Sequence, residues 1–128
     1  MSEITLTIGD TSVLDITIYQ DENPMDLTGY DILFTVKKPF HGAIGLNNPK
    51  DEEAAITKST QTSCGGIETY GVGGIRVVMG SLDTKDLADG IYDYDIQLSK
   101  PGDQDSIITV DSGNITFTKE ITRRNAPL

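Results

Sequence analysis

The residue types that support catalysis are scarce in this chain. It has one histidine, His41, and one cysteine, Cys64. A Ser-His-Asp or Cys-His device needs an imidazole beside its nucleophile, so such chemistry would have to use His41. That residue lies between Phe40 and Gly42, and Cys64 sits between Ser63 and Gly65-Gly66. Both read as loop residues, and no catalytic residue is assigned. Carboxylates are plentiful. Asp93 and Asp95 fall on the same side of one expected strand, with Asp89 just before it. Three such groups could hold a divalent cation, but the calcium-loop spacing with its terminal Glu is absent. Acids on the wet side of a strand ordinarily serve solvation and edge protection. Gly71-Val72-Gly73-Gly74 lacks the Gly-x-Gly-x-x-Gly spacing and opens no expected helix, so it reads as the entry to a strand and not as a phosphate cradle. No metal and no cofactor is expected.

The elements around these residues are β-strands. Apolar side chains recur with period two: Ile4, Leu6 and Ile8; Leu14, Ile16 and Ile18; Ile32, Phe34 and Val36; Tyr92, Tyr94, Ile96 and Leu98. Each run gives one apolar and one polar face, as in an antiparallel sheet wet on one side. Shorter strands are expected over residues 54–59, 74–79, 106–110 and 115–121. About eight strands suit a sandwich or a small barrel. Gly9-Asp10, Leu27-Thr28-Gly29, Pro101-Gly102-Asp103 and Asp111-Ser112-Gly113 punctuate the runs as turns. Pro101 to Asp105 reads as a hairpin loop. One short helical turn is expected at residues 81–87, with Ser81 as its cap. Tyr92 and Tyr94 are expected to fill the edge of the core, with a hydroxyl bonded back to the preceding turn. The expected interior is Ile16, Ile18, Phe34, Val36, Tyr94, Ile96 and Leu98.

Size and charge set further bounds. The 128 residues fit one domain, and eight aromatics without Trp suit a thin two-layer core. Twenty acids against ten scattered bases give a formal charge of −10, which opposes phosphate backbones and anionic membranes. Neither nucleic acid nor membrane is therefore expected as a partner. Residues 1–36 hold seven acids and no base, while Lys119, Arg123 and Arg124 make the C-terminal end basic. With one cysteine no intrachain disulfide can form, and the N-terminus lacks the basic and apolar regions of a signal peptide. Synthesis in a cytoplasm is expected. Residues 38–53 and 61–73 are longer than ordinary connections, and long loops on a rigid scaffold often carry binding.

Three motifs follow in order: Asp26-Leu27-Thr28-Gly29-Tyr30 before a long strand, Leu82-Asp83-Thr84 before Tyr92-Asp93-Tyr94-Asp95-Ile96-Gln97-Leu98-Ser99, and Gly113-Asn114-Ile115-Thr116-Phe117 leading to Ile121-Thr122-Arg123-Arg124. A first hairpin precedes them. This succession resembles small tailed-phage virion proteins, in particular the immunoglobulin-like module at the N-terminus of phage baseplate upper and receptor-binding-attachment proteins. The resemblance implies an all-β, immunoglobulin-like antiparallel sandwich with one short helical turn, filling residues 1–128 as one domain with a C-terminal arm at about 121–128. It implies a non-enzymatic structural subunit of the virion: an adaptor, decoration or connector on the tail, baseplate, neck or capsid. With the chain ending at Leu128, no fibre or receptor-binding region is expected. Partners would be other virion proteins, and the chain would form a homo-oligomer or occur in many copies in a symmetric assembly. Expected contacts are Phe40, His41, Ile44, Leu46 and Asn47 in the long loop and Ile121, Arg123 and Arg124 in the arm. The alternative is a carbohydrate- or receptor-binding module, which exposed Tyr in a concave site would favour.

Overall fold

A computed structural model of the chain describes residues 2–38, 55–61 and 65–119. The alternating runs become strands β1 (Ser2–Thr7), β2 (Ser12–Thr17), β5 (Asp31–Lys37), β6 (Ile56–Ser59), β7 (Ile67–Tyr70), β8 (Gly74–Met79), β9 (Gly90–Lys100) and β10 (Asp103–Thr118). A two-residue hairpin, β3 (Tyr19–Gln20) with β4 (Asn23–Pro24), lies between β2 and β5. The larger sheet has the order β1-β10-β9-β5-β6, and the smaller one β2-β8-β7. Among the described strands, β1 with β10 is parallel and the other strand pairs are antiparallel; an isolated parallel bridge joins Ser59 to Gly66. In immunoglobulin lettering this is A-G-F-C-C′ facing B-E-D, an immunoglobulin-like sandwich.

The interior follows from the alternation. Inward-facing pairs across β5 and β9 are Ile32 with Leu98, Phe34 with Ile96 and Val36 with Tyr94, all 3% exposed or less. Ile75, Val77 and Met79 of β8 close the core from the other sheet at 0% exposure. Two ring contacts bind the layer: Phe34 with Tyr94 at 5.7 Å, and Tyr92 edge-on to Phe117 at 5.3 Å. Of the expected interior residues, six are buried and Ile16 is half-buried against the core.

Several expectations change in detail. Residues 67–70, read as part of a long loop, form β7, because Ile67 turns inward while Glu68 and Thr69 face water. Asp111-Ser112-Gly113 is no turn: β10 runs through it with a register shift between Thr109 and Asp111. Such a bulge bends a strand without ending it. Lys100 pairs with Asp103, so the hairpin turn is only Pro101-Gly102. The first two strands do not form a hairpin, since β1 and β2 belong to different sheets. The glycine run makes the β7–β8 turn, and Gly74 lies under the Tyr70 ring. The β3–β4 turn was not anticipated; Asp21 and Glu22 both take positive φ, as a type I′ hairpin requires, without the usual Gly.

The core position of Phe34 leads to a direct test. Phe34→Ala should lower stability by about 3–5 kcal/mol, the cost of lost burial plus a cavity. Urea melts of the two chains measure it, and a loss below about 1 kcal/mol would place the side chain outside the core.

Candidate interaction site

One end of the sandwich is held by three cross-links. The helical turn α1 (Ser81–Thr84) leads into the corner before β9. Its N-cap is Gly80, not Ser81: the Asp83 carboxylate folds back to accept the Gly80 amide at 2.7 Å. The same carboxylate oxygen meets the Lys58 amine at 2.9 Å, which ties α1 to β6 of the other sheet. Thr84 is buried and its hydroxyl accepts the Gly9 amide at 2.8 Å, tying the corner to the turn between β1 and β2. The Tyr92 hydroxyl donates to the Ala88 carbonyl at 2.8 Å. That is the tyrosine corner of immunoglobulin-like sandwiches, and the expected back-bond of a strand-start tyrosine.

The register brings together at this end the described residues that flank both expected contact segments. Lys37, at the close of β5, stands opposite Asp93 near the start of β9, and Phe117, at the close of β10, stands opposite Gly90. Residues 39–54 connect β5 to β6, and their flanks are fastened by the Ala55 amide donating to the Val36 carbonyl at 2.8 Å. Residues 120–128 follow β10. The expected contacts Phe40, His41, Ile44, Leu46, Asn47, Ile121, Arg123 and Arg124 lie in these two stretches, outside the described residues, as does Cys64. Two large apolar side chains that sequence reasoning missed are exposed at the same end: Leu82 in α1, at 76%, and Ile91 in β9, at 57%. The signal for Ile91 was present, because it is out of phase with Tyr92 and in phase with Asp93.

Beside this end the outer face of the larger sheet is concave, enclosing about 430 Å³. Thr35, Lys37, Asp93, Asp95, Gln97 and Asn114 line it, a polar surface of mixed sign. Asp93 and Asp95 do share this face. Among the described residues no three acids, histidines or cysteines converge on a metal-sized site. The aromatic ring at this hollow, Tyr94, is itself buried, so the hollow offers no exposed tyrosine platform for a sugar. The geometry suits docking of a protein surface.

A comparison with protein families bears on these readings. Residues 1–57 match the BppU N-terminal domain. The BppU N-terminal domain is the first module of phage baseplate upper and receptor-binding proteins. No curated protein matches the chain. The match supports a non-enzymatic, phage structural or adaptor role, with protein partners and a place in the virion. Within the matched stretch, β1, β2 and β5 do not pair with one another; β1 is completed by β10, β2 by β8 and β5 by β9. The BppU-like stretch thus needs the rest of the chain to bury its strands.

A turn inside the match explains its most visible motif. Asp26 accepts the Thr28 amide at 3.0 Å, and the Thr28 hydroxyl and amide together hold its carboxyl below the usual range. The Tyr30 amide then donates to the Leu27 carbonyl at 3.2 Å, with Gly29 at φ +83 in the third position, a type II turn. Leu27 is buried, so the turn anchors the entry to β5. A Cβ on Gly29 would meet nothing within 4 Å. Gly29→Ala should therefore lower stability by about 1–2 kcal/mol through backbone conformation alone. A thermal melt showing no loss would mean the turn does not need its left-handed residue.

Proposed function

We propose that the whole chain, residues 1–128, is one BppU-like adaptor subunit of a phage particle, made in the host cytoplasm and present in several symmetric copies. The observation that carries this reading is the match over residues 1–57, together with strand pairing that makes the remaining strands part of the same sandwich. Its place is on the tail, baseplate, neck or capsid surface. Docking uses the cross-linked end of the sandwich, where Leu82 and Ile91 are exposed. Phe40, His41, Ile44, Leu46 and Asn47 contact one neighbour, and Ile121, Arg123 and Arg124 form the contacts of the C-terminal arm.

The mechanism is shape-complementary assembly. A rigid end, fastened through Thr84, Tyr92 and Asp83, presents apolar anchors without a large ordering cost on binding. The charge of −10 keeps free copies apart until a basic surface or arm engages them.

Two changes test this reading. A chain ended after Glu120, and a full chain carrying Leu82→Glu with Ile91→Glu, should each enter assembling particles about tenfold less well, the size of one lost hot-spot contact. Both should melt at the temperature of the parent. Normal incorporation of both variants, read by quantitative gels of purified particles, would remove this end from the assembly contact.

A further inference from the structure

We propose that the open β1–β2 side of the sandwich receives residues 121–126 of a second copy of this chain, added as an extra strand along β2. The proposal rests on the adaptor reading for the arm's role and names the surface the arm seeks.

The four strand edges of the sandwich are unequal. On one side lie β6 and β7, four residues each. Their inward residues Ile56 and Ile67 are buried. β6 also carries Lys58 opposite the buried Phe34, an inward charge of the kind that blocks edge pairing. On the other side lie β1 and β2, six residues each and without Lys, Pro or Gly. Among the described residues β2 is paired with β8 alone, so its other edge keeps a row of backbone donors and acceptors for a partner. The inward residues of this side, Ile4, Leu6, Leu14 and Ile16, remain half-exposed although they pack on the core. A cleft of about 350 Å³ is lined by Ile4, Leu14 and Ile16. Among the described residues, the β6–β7 side has short edges tied by a Ser59–Gly66 bridge, and the β1–β2 side carries no covering strand.

The cleft also selects its occupant by charge. The carboxylates of Asp15 and Asp111 line it. Asp111 sits at the β10 bulge, where it accepts the Ser112 amide at 2.9 Å and the Tyr94 hydroxyl at 3.4 Å. Asp15 holds Arg76 at 3.0 Å, and Glu3 and Asp10 are exposed nearby in sequence. The basic end of the chain supplies the complement in Arg123 and Arg124. Residues 121–126 number six before Pro127, the length of β2, and Pro127 lacks the amide to continue a ladder. In an extended strand Ile121 and Arg123 share one side, so one apolar and one basic group would enter the cleft together. Direction favours a second copy. β10 ends beside the end of β1, close in sequence order to the start of β2, so the chain's own arm reaches β2 only as a parallel strand. An arm from another copy can enter antiparallel, like every other pairing in the smaller sheet.

The experiment uses the full chain. Asn125→p-benzoylphenylalanine provides a photo-crosslinker, and equal amounts of light and heavy-isotope chain are mixed before irradiation. The expected product joins position 125 to a peptide containing residues 12–17 in mixed-isotope pairs, and sedimentation shows self-association. Val13→Lys, at an exposed position on the cleft, and Arg123→Glu with Arg124→Glu should each weaken self-association about tenfold, as like charges facing each other do. Joining them in one chain should restore part of the loss, and melting temperatures should not change. A chain that stays monomeric up to about 1 mM, the weak end of useful affinity, overturns the proposal. So does a 125–β2 crosslink found in same-isotope form alone, with no mixed-isotope pairs, and so do crosslinks that miss β2. The adaptor reading is judged separately, by incorporation into particles, and survives any of those outcomes.

Discussion

The pairing of β5 with β9 governs the rest of the molecule. Its register sets Ile32 against Leu98, Phe34 against Ile96 and Val36 against Tyr94 on the inner face. The same register sets Thr35 against Asp95 and Lys37 against Asp93 on the outer one. A slip of one residue would exchange the two faces, bringing carboxylates into the core and phenyl and aliphatic groups into water. The buried core and the polar hollow therefore have one cause. The paired strands are about sixty residues apart in the chain, and β1 reaches still farther, to β10. Such non-local pairing makes the sandwich a unit in which no early segment is stable alone.

The second consequence is a difference between the two ends and the two sides. Around the corner before β9, buried or half-buried polar groups are all spoken for: Thr84 by Gly9, Tyr92 by Ala88, Asp83 by Gly80 and Lys58. Hydrogen bonds of this kind add little net stability each, but leaving one unmade is costly, so they fix the corner in one geometry. A fixed end is what an assembly contact needs. The β1–β2 side shows the reverse: apolar residues that the sandwich does not finish covering. In a small structural protein both features point outward, to neighbours.

Much of this was legible in the sequence. The period-two runs identified β5 and β9 and six of the seven expected core residues, because one-sided burial writes itself directly as alternation. The tyrosine back-bond of Tyr92 followed from its place at a strand start. Turn chemistry misled where context overrode it. Asp111-Ser112-Gly113 has the residues of a turn, yet β9 on one flank and β1 on the other keep it extended, and the mismatch appears as a bulge. β7 was hidden because four residues flanked by glycines carry too short a pattern to see. Leu82 and Ile91 were overlooked because surface apolar residues leave no periodic trace, although Ile91 could have been found from its phase. The expected contacts in residues 39–54 and 120–128 had no period to read; they rested on loop length and charge.

The claim that joins these observations is that the chain is a structural component of an assembled phage particle. Quantitative peptide mass spectrometry of particles purified through successive density gradients tests it most directly. The account predicts the chain at a fixed ratio to the major structural proteins, a ratio that survives repeated purification and a high-salt wash. A chain abundant in the infected-cell lysate but lost from the purified particles would contradict it.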